Sequence, residues 1–532
     1  MKRSISNVGL LMTSVSAIMG SGWLFAVYYT SSHAGPASTL AWVIGAFIMI
    51  IIAFVFAELC AMIPVTGSST RIPHYTQGTL TSFVFSWIIW LTYLTLAPIE
   101  VQAIIQYLAF YFPVLTNKSG SLTHLGFLVA AVLLFIATAL NVYSIRWLIR
   151  ANAVLTILKL VLPIAIAIVI LLFFFSPDKL FHPAKSSFLP NGMQGIFSAI
   201  ATGGIVFSFN GFKLAAEMAG EARNPKKALP FAIVGSIVIS LVVFLVLQFA
   251  FLSSITPANV ANGWKNLQIH GSTSPFAAII EQDKLGSLMA LVILCAIIAP
   301  FASALVYLSS AARSLYGMSD NGYLPLLFKV LNIHGNARYA IFINYLLSLI
   351  MFAPLPGWEK MAAFLTSLIA LTYTIGPVSC YTLRERLPDR PRPFRLIFGR
   401  IWSVTAFFLC TLLVFWSGWS IISKLGIVIV IGLVVFAIYK LFTERGKTLP
   451  VDFRASIWLW PYLCGLTLVS YLGGFGGGKE LLSNLAASVC LLVLSVFCIY
   501  LAAKVSLSTE RITANLEQAL QARDELEPSS EH

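Results

Sequence analysis

Apolar runs of about 20 residues, long enough to cross a lipid bilayer as a helix, recur along this whole sequence. In lipid, backbone N–H and C=O groups must be satisfied within the protein, so such runs form helices. Of the 532 residues, 58% are hydrophobic and 10% are charged, whereas soluble domains have about 25% charged residues. The sequence therefore predicts an all-α polytopic membrane protein embedded in a lipid bilayer.

About fourteen spans are predicted from these runs. They cover 8–30, 37–63, 81–112, 123–143, 148–175, 192–215, 229–253, 285–312, 338–356, 361–381, 401–421, 424–442, 457–472 and 481–503. We divide the chain into a core at 1–381, a basic loop at 382–400, accessory spans at 401–503 and a tail at 504–532. A helix is possible at 509–526, but the polar composition of the tail favours a solvated segment.

The basic residues predict how the chain is oriented. If the N-terminus is cytoplasmic, most loop arginines and lysines fall on the cytoplasmic side, and the proline- and arginine-rich loop 382–400 is one example. The loop 254–284 then lies outside. This pattern predicts a multi-pass protein of the cell inner (plasma) membrane, with both termini cytoplasmic. The formal net charge of +14 is scattered over loops, so no nucleic acid partner is predicted.

The composition gives no indication of an enzyme, a metal site or a cofactor. The seven cysteines lie in or beside apolar runs and form no CxxC motif or Cys/His cluster. No HxxxH, DxxD or GxSxG motif stands at a membrane interface. We therefore predict no enzymatic activity, no metal and no cofactor.

Two glycines flank a serine in the middle of the first span, at Gly20, Ser21 and Gly22. Glycine and serine are poor helix formers, and a break here would free several N–H groups. The positive end of the following half-helix would point the same way, which suits an anion such as a carboxylate. The alternative is a patch of small residues that packs against another helix.

A second break is expected in span six, where 202–213 mixes glycines, polar side chains and aromatic rings. Spans one and six are five apart. Interrupted helices at matching positions of two five-span halves are typical of transporters built from inverted repeats.

Several charged residues lie within the predicted spans. Lys159 is far from either interface, where a charge is costly, so it is a candidate for exchanging a proton; the alternative is a snorkelling or structurally paired lysine. Glu100 is a candidate proton relay or a paired structural group. Lys213 follows the second break, where it could meet an acidic substrate side chain or only face the cytoplasmic vestibule. Glu58 and Glu217 are expected to brace loops through arginine partners.

Further short motifs lie at 57–59, 64–67, 217–227 and 313–325. Together with 19–22 and 207–212, they resemble the motifs of the amino acid–polyamine–organocation (APC) permeases over roughly residues 5–400. Within that family, 22–27, 416–419 and the two last spans are similar to a bacterial branch that includes the aspartate–proton symporters. One departure is Phe207, which stands where the family often has tryptophan.

The resemblance implies a LeuT-type fold. Spans 1–5 and 6–10 would be inverted repeats, forming a transporter core, with about four additional C-terminal transmembrane helices as support. The implied activity is proton-coupled import of an amino acid, possibly aspartate or glutamate, with Lys159 standing where sodium-driven relatives bind a cation. Two alternatives stay open: an amino acid or amine exchanger without net proton flow, and a membrane sensor that does not transport.

The resemblance also implies a substrate site between the two breaks. Its residues are Ile18, Gly20, Ser21, Gly22, Phe207 and Asn210. N–H groups of the first break would meet the substrate carboxylate. Carbonyls near Ile18, Phe207 and Asn210 would meet the substrate ammonium, and Phe207 would cover the site from outside.

Overall fold

A computed structural model of the chain describes residues 5–65, 68–117, 120–143, 145–175, 187–269, 274–332, 336–442 and 451–525. In these ranges the regular structure is helical, as predicted, and there is no strand beyond isolated bridges. The end of the predicted tail, 526–532, and the basic residues Lys2 and Arg3 lie outside the described residues.

The core consists of helices that follow the predicted spans one to ten and of one short helix within the predicted outside loop 254–284. They are α1 (Asn7–Ile18), α2 (Gly22–Ala34), α3 (Ser38–Met62), α4 (Ser68–Leu108), α5 (His124–Tyr143), α6 (Ile145–Phe174), α7 (Gly192–Ala201), α8 (Ile205–Ser208), α9 (Lys213–Glu217), α10 (Pro225–Ser254), α11 (Pro275–Gln282), α12 (Gly286–Asp320), α13 (Arg338–Ile350) and α14 (Trp358–Arg386). The accessory helices and the tail helix are α15 (Gly399–Trp416), α16 (Trp419–Phe442), α17 (Leu459–Leu472), α18 (Asn484–Val505) and α19 (Thr509–Glu525).

Eleven helical stretches in the described ranges are long and apolar enough to cross a membrane, and a bent helix pair is a possible twelfth. One of the eleven, Gly22–Met62, contains both α2 and α3, which are joined by the short 3-10 turn Gly35–Ala37. Helices α1 and α13 have only 12 and 13 residues, respectively. Each of the fourteen predicted spans thus has a helical counterpart, but fourteen crossings and the inverted repeat stay predictions.

Both expected breaks are present. The first span is divided between α1 and α2, because the helix ends at Ile18 and resumes at Gly22. Span six is divided between α7, α8 and α9, with Gly204 in the left-handed conformation at φ 97°. The pair of segments Gly192–Ser208 and Asn210–Glu217 is bent by 40°.

The centre of the fold lies along α4 and α14, which pack against each other. The most apolar stretches of both helices are completely buried, although their mean hydropathy of 1.6 is well below the 2.8 of α10. Helix α12 packs along α4, and α10 packs against α1, α3 and α6. The two central helices are therefore shielded from lipid, where the polar side chains they carry would be costly.

The basic loop between α14 and α15 is held by one buried carboxylate, that of Glu58 in α3. Arg384 Nε donates to Glu58 Oε1 at 2.8 Å, and Arg392 Nε lies 3.5 Å from the same oxygen. The backbone N–H of Leu396 donates to Glu58 Oε2 at 2.8 Å. The predicted arginine partners of Glu58 are thus confirmed. Glu217, for which an arginine was also expected, accepts a hydrogen bond from Tyr93 Oη at 2.6 Å.

The tail forms the helix that was considered possible, and most of its described side chains are exposed or half-buried, but one face of the helix is docked and not solvated. Ile512 and Leu516 of α19 are fully buried in the hydrophobic core. Arg511 Nη1 donates to Asp452 Oδ1 at 2.8 Å, and Asp452 Oδ2 accepts from the N–H of Thr79 in α4 at 3.2 Å. The prediction rested on the mean composition of the tail, which is polar. It did not take into account two apolar side chains that are four residues apart and therefore lie on one face of the helix.

We expect Leu516→Ser to release α19 from the core. Exposing a buried leucine costs about 2 kcal/mol, which raises the undocked population roughly 30-fold. This population is measured by limited proteolysis, in which the rate at which a C-terminal tag is cleaved off reports undocking of the helix. The control is Glu517→Ser at the neighbouring exposed position, and equal cleavage rates in the two variants would contradict the docked helix.

Candidate functional site

At the first break, the backbone donor of Ser21 has a partner from another helix. Met19 N–H donates to Val15 O at 3.0 Å, and Gly20 N–H donates to Ile18 O at 3.0 Å. Ser21 N–H donates instead to Glu100 Oε2 in α4, at 2.8 Å. A carboxylate therefore sits at the N-terminus of α2, as expected for an anion at this place.

The close approach of Glu100 depends on the glycine beside it. A Cβ atom at Gly20 would lie 2.5 Å from Glu100 Oε1. Glu100 is fully buried, and Oε1 has no hydrogen-bond partner in the described part of the chain. Gly20 and Ser21 thus form a closed site that holds the carboxylate of Glu100, and we call this site the notch.

Opposite charges face the two ends of the break. Lys159 of α6 is 3% exposed, and its Nζ donates to Ser16 O of α1 at 3.2 Å and to Ser303 Oγ of α12 at 3.0 Å. Tyr307 Oη donates to Ala17 O at 3.0 Å. The cation and the hydroxyl therefore satisfy carbonyls at the negative end of α1, whereas Glu100 satisfies the positive end of α2.

Aromatic rings cover the notch from the side of α2. Trp358 of α14 donates from Nε1 to Ser21 Oγ at 2.9 Å. Its ring stacks on Phe25 and Tyr29, with centroids 5.0 and 5.7 Å away. Phe207 packs edge-on against the same indole at 5.4 Å. Phe207 is thus in contact with an indole from another helix, and its role as a cover of the site stays a prediction.

The two breaks pack directly against each other. A Cβ atom at Gly22 would collide with Ser208 of α8, and one at Gly211 would collide with the backbone of Ile18. Gly22 therefore serves the contact between the two broken helices, and Gly20 is the glycine that faces the carboxylate. No side chain larger than hydrogen fits at either contact without displacing backbone or a neighbouring group.

A second polar cluster lies beside the two breaks. Tyr373 of α14 donates from Oη to Asn210 Oδ1 at 2.9 Å. Lys213 is 5% exposed, and its Nζ lies 5.7 Å from the centroid of the Tyr373 ring. A small cavity is lined here by Ala17, Tyr93, Asn210, Gly211, Lys213, Tyr307 and Ser310.

The structure brings the predicted residues together in two groups. Around the first break lie Ile18, Gly20, Ser21, Gly22, Glu100, Lys159 and Phe207, and the second cluster contains Asn210 and Lys213. Sequence reasoning missed Trp358, Tyr307 and Tyr373. Tyr307 could have been found, because it lies one helical turn from Ser303 on the same face. Trp358 has no such signal, since a tryptophan at the end of a span is typical of a membrane interface.

Two broken helices that meet beside a buried lysine and a buried glutamate, within a bundle of membrane-length helices, are typical of membrane transporters. The profile of the amino acid permease family matches residues 5–436. The chain belongs to this family, which lies within the APC group, and amino acid permeases are transporters, not enzymes.

Three relatives from Bacillus subtilis (strain 168) show the kind of substrate that such proteins carry. The chain is 33% identical to an aspartate-proton symporter over 94% of its own length and 96% of that protein. It is 32% identical to the glutamate/serine transporter AimA over 89% of each chain. It is 25% identical to the branched-chain amino acid permease BcaP over 83% of this chain and 93% of the relative.

We expect Ser21→Ala to lower the free energy of unfolding by about 1 to 3 kcal/mol, because it leaves the buried indole N–H of Trp358 without an acceptor. The double variant Ser21→Ala/Trp358→Phe should lose less than the sum of the two single variants. Denaturant unfolding in detergent micelles measures all three. The control is Ser14→Ala, whose buried hydroxyl has no hydrogen-bond partner in the described ranges. Additive losses would show that the two side chains act independently.

Proposed function

We propose that this protein is a proton-coupled amino acid importer of the plasma (inner) membrane, with both termini in the cytoplasm. It works by alternating access around the two broken helices. The observation that carries the proposal is the hydrogen bond from Ser21 N–H to a buried carboxylate. A backbone donor that holds one carboxylate at the start of α2 is also suited to the carboxylate of an amino acid.

Coupling to protons is assigned to Lys159 and Glu100. The Lys159 ammonium joins α6 to α1 and α12 through Ser16 O and Ser303 Oγ. Neutral lysine has fewer protons to donate and no charge, so loss of the proton weakens this tether. The helices that meet at the break can then move relative to one another. Support also comes from the relative that is named an aspartate-proton symporter.

The substrate class is assigned from the second cluster. Lys213 and Asn210 line the small cavity beside the breaks, and Lys213 is a buried cation on its wall. A buried ammonium favours a ligand with a negative side chain, because it supplies a charge-assisted hydrogen bond where water is excluded. We therefore assign an acidic amino acid, aspartate or glutamate, as the preferred substrate.

Uptake into proteoliposomes, with and without an inward proton gradient, tests the proposal. Purified Lys159→Ala should take up amino acids without accumulating them, because the gradient no longer acts on the tether. Lys159→Arg should retain the charge and turn over slowly, since arginine does not lose its proton in proteins. The control is Lys265→Ala in the loop after α10, an exposed lysine.

If the gradient drives accumulation by folded Lys159→Ala as in the wild type, Lys159 does not carry the coupling. The wild type could instead require an amino acid on both sides of the membrane and show no response to the proton gradient. That result would favour an exchanger.

We expect Lys213→Ala to weaken transport of aspartate and glutamate about tenfold or more, and that of serine much less, because a charged hydrogen bond contributes about 1.5 to 3 kcal/mol. Competition of unlabelled amino acids against one labelled substrate measures the preference. Lys360→Ala, at an exposed position, is the control. Equal losses for acidic and neutral amino acids would place Lys213 in folding or gating and not in selection.

A further inference from the structure

Glu100 occupies the place that the proposed function gives to the substrate. Its Oε2 accepts the hydrogen bond from Ser21 N–H, and its Oε1 lies against Gly20. Gly20 N–H is engaged by Ile18 O, so Ser21 N–H is the donor of the notch with a partner from another helix. A substrate carboxylate that binds Ser21 N–H therefore has to displace Glu100.

We propose that Glu100 is an internal competitor for the substrate carboxylate, and that the substrate enters the notch when Glu100 takes up a proton and turns away. This inference rests on the proposed function and extends it. The step begins when a proton from water binds a Glu100 oxygen. The Ser21 N–H to Oε2 bond then breaks, and a bond from the same N–H to the substrate carboxylate forms. On release of the amino acid, Glu100 gives the proton back to water and returns to Ser21.

Because Glu100 is buried, an ionised Glu100 and a substrate carboxylate cannot occupy the notch together. Two ionised carboxylates that share a small site repel each other, and one of them takes up a proton instead. In this conformation the side chain of Glu100 has no accessible surface, so water reaches it from neither side of the membrane. A displaced, ionised Glu100 would therefore lose the hydrogen bond from Ser21 N–H without gaining water.

Two titratable groups face Glu100 from neighbouring helices, Lys159 of α6 and Tyr307 of α12. Each already uses its polar atoms on the first break. Lys159 Nζ donates to Ser16 O and Ser303 Oγ, and Tyr307 Oη donates to Ala17 O. The geometry thus assigns the binding step to Glu100 and leaves to Lys159 the change of conformation that follows.

The test is the pH dependence of binding in Glu100→Gln, which keeps the shape of the side chain and removes its charge. Labelled aspartate, glutamate and serine are the probes, with purified protein in detergent. Wild-type affinity should fall as pH rises, by up to tenfold per unit, because one proton is taken up with each substrate. In Glu100→Gln the affinity should be independent of pH, and at alkaline pH it should exceed that of the wild type.

A matched control is Glu217→Gln, which removes a carboxylate that Tyr93 binds and that has no contact with Ser21. It should retain the wild-type slope, whatever its affinity. A wild-type slope in Glu100→Gln overturns the inference, and so does complete loss of binding in a folded variant. If none of the three amino acids binds to the wild type or to either variant, the proposed function fails instead.

A second measurement needs no amino acid. Glu100→Ala leaves the notch without its carboxylate, so acetate should occupy it and raise the thermal unfolding temperature further at each higher concentration, following RT ln(1 + c/Kd), where c is the acetate concentration. Wild type and Glu217→Ala should show no such rise, and chloride at equal ionic strength should have no effect on any of the three. Equal responses to acetate in all three proteins would show that the notch is not a carboxylate site.

Discussion

The hydrogen bond between Ser21 N–H and Glu100 is the contact on which the centre of this structure depends. A helix that stops in the middle of a membrane leaves donors and acceptors without partners, and each buried one costs about 1 to 3 kcal/mol. The break at Gly20 is tolerated because α4 supplies a carboxylate and α14 supplies an indole, at the same serine. These two helices must therefore lie inside the bundle, and they are the ones whose most apolar stretches are fully buried.

This requirement explains the distribution of apolar residues better than membrane crossing alone does. Helices that face lipid need apolar surfaces on most sides, and α16 and α18 have no more than a third of their most apolar stretch buried. Helix α4 instead carries Thr, Ser, Gln and Glu side chains at depth, protected by α12 and α14. The same polar side chains that lower its hydropathy make the contacts that hold the broken helices.

Much of this arrangement could be predicted from local sequence, and the remainder could not. Gly20, Ser21 and Gly22 predicted the break because they are poor helix formers within an apolar run, although a helix-packing patch was the alternative and Gly22 also packs against Ser208. The isolated charge of Lys159 marked it as a candidate functional residue, and the structure shows its ammonium donating to Ser16 O and Ser303 Oγ. Which carboxylate fills the notch depends on how α4 packs against α1 and α2. Such contacts join residues 79 positions apart, and no local pattern encodes them.

The two charges act on the same break from opposite ends, and this links binding to conformation. Lys159 holds a carbonyl of α1, and Glu100 holds an N–H of α2, so each charge complements the dipole of its own half-helix. In the mechanism we propose, a change of either charge alone would leave the other half-helix held. A proton that arrives with the substrate would then alter the N-terminal end of α2, whereas a proton lost from Lys159 would alter the C-terminal end of α1. Separate protonation of the two ends would allow the two half-helices to move independently, as alternating access around a fixed site requires.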